Sequence, residues 1–147
     1  MTVKRPGQKF RVLPGRYAVC RLPPEAPVPD WVTGPFCNMT RASDELAVIC
    51  PAAQVPAGIT AERDWRVFRL VGPFSFSAIG VLASIATPLA RAGISLLSIA
   101  TYDTDYFLVK VERFKEFAAL QAALFTALPG RCPAQTGPGR VGIRGQR

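Results

Sequence analysis

Histidine is absent from the 147 residues, which removes Ser-His-Asp and Cys-His catalysis together with the commonest metal ligand. No C-x-x-C pair occurs either. The four cysteines stand singly at 20, 37, 50 and 132, and Cys20, Cys37 and Cys50 fall in strand-like runs, where a thiol packs as a small hydrophobe, so reduced structural cysteines are expected. The longest apolar stretch, 79–100, is broken by Pro88, Arg91 and Gly93, and the N-terminus has no apolar run resembling a signal peptide. A cytoplasmic protein without membrane contact follows as the expectation. No phosphate loop ending in Gly-Lys-[Ser/Thr] is present, although Gly72 to Gly80 is bounded by glycines. The chain is read as no enzyme, without cofactor or metal.

The formal net charge is +8, but its location matters more than its size. Lys4, Arg5, Lys9, Arg11 and Arg16 precede residue 17, and Arg131, Arg140, Arg144 and Arg147 follow residue 130. The nine remaining cations between those limits face all ten carboxylates, so the interior of the chain is almost neutral. The basic ends carry no interleaved aromatics of the kind that stack on bases, and no specific nucleic-acid partner is expected. Segments 1–8 and 131–147 read as flexible basic ends, the latter too rich in Pro and Gly to order itself.

Between the ends one pattern occurs twice. Thr40, Ser43, Asp44, Leu46 and Val48 recur 61 positions later as Thr101, Thr104, Asp105, Phe107 and Val109, while 17–22 match 65–70 at an offset of 48. The second copy therefore holds thirteen more residues between its matching strands, about three and a half turns of helix. Two related units, 9–61 and 62–130, are predicted, the first with its leading helix reduced to the proline-broken loop 23–33.

The second unit has the cleaner periodicity. Val67, Phe68, Leu70 and Val71 form a strand that ends at Gly72-Pro73. From Ser77 to Ala92 a polar stripe (Ser77, Gly80, Ser84, Thr87, Arg91) opposes an apolar one (Ala78, Leu82, Ile85, Leu89), which predicts an amphipathic helix despite Pro88. Strands at 94–101 and 106–111 flank a turn at 102–105, and Phe114, Phe117, Leu120, Leu124 and Leu128 mark a closing helix.

A carboxylate pair, Asp103 and Asp105, sits at the predicted hairpin, and Asp-Thr-Asp there is turn chemistry in its own right. Both this hairpin and the corner at 74–77 flank strand ends, where backbone groups run unpaired. Free amides at a helix start attract a carboxylate, and a nearby Asp attracts an ammonium or guanidinium, a combination suited to a zwitterion.

The strings at 65–84, 92–95 and 98–109, above all Gly-Pro-Phe-Ser-Phe-Ser (72–77) and Thr-Tyr-Asp-Thr-Asp-Tyr (101–106), resemble the small bacterial tandem ACT-domain proteins. They are similar to the ACT units of aspartate kinases and CASTOR-type arginine sensors. The resemblance extends to 17–22 and 40–51, and so covers about residues 8–128. It implies an α+β fold: tandem ferredoxin-like βαββαβ units forming an antiparallel sheet with helices on one face. It also implies a stand-alone regulatory homodimer that binds a small ligand, an amino acid, between the first strand–helix corner and a neighbouring unit, and acts on a separate, unidentified enzyme. Carried over by position, Phe74, Ser75, Phe76, Ser77, Ala78 and Ile79 would offer backbone donors to the ligand carboxylate. Asp105 would face its cationic group, with Thr101, Asp103 and Thr104 nearby. A protein–protein interaction module with a vestigial site is the alternative.

Overall fold

The computed structural model describes residues 9–71 and 79–126. Its elements are β1 (Phe10–Val12), β2 (Tyr17–Leu22), β3 (Asn38–Arg41), β4 (Leu46–Pro51), β5 (Ala61–Leu70), α1 (Val81–Arg91), β6 (Leu97–Ala100), β7 (Asp105–Lys110) and α2 (Phe114–Thr126), with 3-10 turns at 52–54 and 111–113. The strands form one sheet in the order β3-β4-β2-β5-β7-β6, with β1 alongside the far end of β5. Every pairing is antiparallel. This is the expected α+β arrangement of two ferredoxin-like units.

The strand order is symmetric about its centre. Tyr17 lies opposite Trp65, its own counterpart in the repeat, so a pseudo-two-fold axis passes between them. Outward from the axis, Tyr17 pairs with Pro51 on one side and Trp65 with Lys110 on the other. Beyond β2 and β5, the elements correspond at a constant offset of 59: β3 with β6, β4 with β7, and the first 3-10 turn with the second. Both hairpin loops close alike, Ala42 N–H donating to the Glu45 carbonyl and Thr101 N–H to that of Thr104, each at 2.8 Å. The match at 61 is thus two residues out of register with the fold. A two-residue slip preserves side-chain alternation, which is why the apolar pattern does not reveal it. The true surplus in the second unit is eleven residues, the length of α1.

The axial pair also marks a break in the ladder. The register between β2 and β5 shifts between Tyr17 and Val19, and Asp64 adopts φ 66° there, with its carboxylate 2.7 Å from Arg16. An extra residue in β5 is accommodated as a bulge, which bends and twists the centre of the sheet.

On the helix face of the second unit, Phe68, Leu70, Phe107 and Val109 are covered by Ile85 and Leu89 from α1 and Phe117 from α2. The first unit has no such helices. The equivalent strand positions Cys20, Val48 and Cys50 are covered instead by Trp31, Val32 and Val55. The loop that carries Trp31 is pinned by Arg41, whose guanidinium donates to the carbonyls of Pro24 and, at 2.7 Å, Ala26. On the opposite face Tyr17, Ile49, Trp65, Val67 and Leu108 form a shared core. Phe36, which precedes β3, stacks on Tyr106 of β7 with ring centroids 4.2 Å apart. Contact between residues near opposite ends of the strand order means that the sheet curls around this face.

The helix expected from Ser77 begins at Val81 after Gly80 (φ 71°); residues 77 and 78 lie outside the described residues. Of its predicted apolar stripe Ile85 and Leu89 are buried, whereas Leu82, in the first turn, is 47% exposed. The helix ends in a Schellman arrangement: Gly93 (φ 68°) donates to Ala90 and Ile94 to Leu89. That cap takes up the start of the predicted strand, so β6 begins at Leu97 instead of Ile94. The basic segments 1–8 and 131–147 also fall outside the described residues.

Candidate functional site

β5 delivers the chain to the corner at Leu70, and the β6–β7 hairpin is fastened to that point. The buried Thr104 hydroxyl donates to the Leu70 carbonyl at 2.6 Å. Thr101 holds the loop itself: its hydroxyl donates to the Thr104 carbonyl at 2.7 Å, alongside its own N–H, and its oxygen receives the Thr104 N–H at 3.4 Å. The hairpin is thereby tied to the end of β5, whereas the predicted corner at 74–77 lies outside the described residues, and these two threonines hold the turn in shape. Their hydrogen-bonding groups are engaged within the fold, unlike the two carboxylates of the hairpin.

Asp103 is exposed in the loop, and Asp105 is half-buried as the first residue of β7, outside the predicted turn. Neither takes an ion pair or side-chain hydrogen bond among the described residues. Alternation along β7 places Asp105 on the face of Phe107 and Val109, beneath the helices. Its structural counterpart in the first unit is Leu46, which is buried in the core. Asp103 corresponds to Asp44, so the aspartate common to both turns is Asp103. Asp105 is a charge where the other unit has core.

Across the corner, α1 begins at Gly80 without a side-chain cap and with no acidic residue in its first turn. The Ser84 N–H is the one that reaches the Gly80 carbonyl, so the N–H groups of Val81, Leu82 and Ala83 have no acceptor within the helix. Such an end favours an anion. Ile79 is 84% exposed. Phe74, Ser75, Phe76, Ser77 and Ala78 lie outside the described residues. Sequence reading missed two exposed apolar side chains on the bracketing elements, Leu82 on α1 and Tyr102 at the hairpin tip. Leu82 looked like core because it continues the Ile85–Leu89 stripe.

No group of His, Cys, Asp and Glu suited to a metal occurs among the described residues. Burial pushes the thiols of Cys20 and Cys37 up and that of Cys50 up to about 11, so all three are held as neutral thiols. No helix among the described residues is long and apolar enough to cross a membrane.

A family model for the ACT domain matches residues 60–120, and a second model, for an N-terminal domain, matches 15–58. A crystal structure from Agobacterium tumefaciens is 31% identical over 82% of this chain and 91% of its own, with a TM-score of 0.77. The chain belongs to the ACT-domain family. Two aspartate kinase structures share its fold. The enzyme from Clostridium acetobutylicum (11% identity, TM-score 0.60) matches over 82% of this chain and 34% of its own length. The ligand-free regulatory subunit of aspartate kinase from Thermus thermophilus (12% identity, TM-score 0.55) matches over 79% and 96%. Comparison with curated proteins gives no match. The ACT domain is a regulatory module, and here its second unit retains the helix α1 that the first unit has lost.

Proposed function

We propose that the second unit binds a free amino acid between the corner at 74–79 and Asp105, and that occupancy regulates a separate enzyme in the cytoplasm. The observation that carries this reading is Asp105 itself, a carboxylate without an ion pair among the described residues, at a position the first unit fills with Leu46. Half-burying an unpaired charge is costly, and a cationic ligand group relieves that cost. The ligand's carboxylate would take the backbone donors of the corner and of the uncapped start of α1. Segments 9–61 and 62–130 act as a degenerate and a ligand-binding unit respectively, flanked by basic ends.

Thermal melting in the presence of each amino acid tests the proposal. A ligand at 100 times its dissociation constant adds about 2.7 kcal/mol of stability. One amino acid should raise the midpoint by roughly 5 to 10 °C for a domain of this size, and Asp105→Asn should abolish most of the shift. No shift with any amino acid would overturn it.

A further inference from the structure

Away from the corner, β1 and α2 flank an open cavity of about 380 Å³ on the helix face of the second unit. Phe10, Phe68 and Phe117 form its apolar floor, in edge-on or tilted contact with one another. Gln121 lines it as well, one turn of α2 beyond Phe117, and is only 5% exposed. The Gln121 Nε2 is buried and has no hydrogen-bond partner among the described residues. An amide donor left in that state is costly, and Leu or Met would serve packing alone better. At the mouth stands Lys9, exposed and without a carboxylate partner among the described residues.

We infer that this cavity is a second ligand site, which takes a small carboxylic acid with an apolar body. The volume exceeds a single water's share of about 30 Å³ more than tenfold, and the walls are mostly apolar, so one bridging water does not explain the space. It lies within the usual range for small-molecule sites, roughly 300–1,000 Å³. The ring floor takes the apolar body, Gln121 Nε2 donates to one carboxylate oxygen, and the Lys9 ammonium offsets the charge at the mouth. No Asp or Glu lines the cavity, so the ammonium of an amino acid would find no partner there. That absence separates this ligand class from the zwitterion proposed for the corner, and the site stands whether or not the corner binds anything.

The test is titration of the full-length chain with octanoate and phenylacetate, followed by calorimetry and amide NMR. Saturable shifts should centre on Phe10, Phe117 and Gln121, with octanamide and phenylalanine at least about tenfold weaker, a gap of about 1.4 kcal/mol. Gln121→Leu should weaken phenylacetate by a similar factor while leaving the ligand-free melting point level or higher. Lys9→Met, at the exposed rim, should weaken octanoate but not octanamide. Three results overturn the inference. One is the absence of saturable shifts. Another is unchanged affinity in both variants. The third is a set of contacts from the Gln121 amide to residues 1–8 or 131–147, which would show that the chain's own end fills the cavity.

Discussion

The Thr104 hydroxyl donates to the Leu70 carbonyl, 2.6 Å away and 34 residues earlier, and so joins the tip of one hairpin to the point where β5 leaves the sheet. Leu70 is fully buried. Thr104→Val keeps the side chain's shape but orphans that carbonyl, and should lower stability by about 1–3 kcal/mol in urea denaturation. Thr104→Ser should recover most of the loss. Equal stability in the Val and Ser variants would show that the bond contributes nothing.

Asp105 and Asp103 should separate cleanly. Asp105→Asn is expected to weaken the amino acid by roughly 1–3 kcal/mol with little change in the ligand-free protein. Asp105→Leu, which restores the residue type of Leu46, should raise the ligand-free melting temperature and abolish binding, since a charge retained against stability marks a functional position. Asp103→Asn should leave affinity intact. Calorimetric titration and ligand-free melting curves of the three variants decide the matter, and a loss of affinity confined to Asp103→Asn would reverse the assignment.

Neither unit should fold alone. Residues 62–130 expressed by themselves would expose the β5 edge that pairs with β2 and lose the Phe36 ring from Tyr106. A broad, non-cooperative melt is the expected outcome, because the shared core is divided. A sharp transition would show independent folding.

Self-association is expected through strand edges. The sequence suggests two apolar faces on β5 that each need a partner, but Val67, on the face away from the helices, is fully buried within one chain. Among the described strands, β3 and β6 remain as the ends of the order. Unpaired edges of this kind are templates for another strand. Light scattering at tens of micromolar should give the mass of two chains, and proline in place of Ser98 on β6 or Met39 on β3, whose N–H groups face away from the neighbouring strand, should restore the monomer. A monomeric wild type would exclude the edge-paired dimer.

Stability should fall as pH rises from about 9 to 11. Burial raises the Cys50 thiol to about 11, and Cys20, Cys37 and Tyr17 are raised by burial as well. Below the unfolded values, near 9 for the thiols and 10 for Tyr17, both states keep the proton. Above it the unfolded chain ionises first, so unfolding gains up to about 1.4 kcal/mol per pH unit for each such group until the folded value is passed. Urea midpoints at several pH values should show a shallower decline in Cys50→Ala than in wild type; identical slopes would remove the thiol from the effect.

The order of elements in the second unit and the reduced leading helix of the first were legible in the sequence, because alternation, helical stripes and Gly-Pro punctuation are local signals that tertiary contacts here do not override; β1 and β3 were not. The pairing of Tyr17 with Trp65 across the axis was implicit in the repeat but became a symmetry only when β2 and β5 met. Register was not legible. A slip of two residues leaves every side chain on its face, so the Asp44–Asp105 match looked sound until the loop hydrogen bonds of Ala42 and Thr101 aligned Asp44 with Asp103. Leu82 and Leu89 belong to one apolar stripe, and their different burial depends on how α1 sits over the sheet, a packing fact no periodicity contains. The cavity beside Gln121 is of the same kind, since it joins residues from β1, β5 and α2 whose proximity exists only once the sheet has formed.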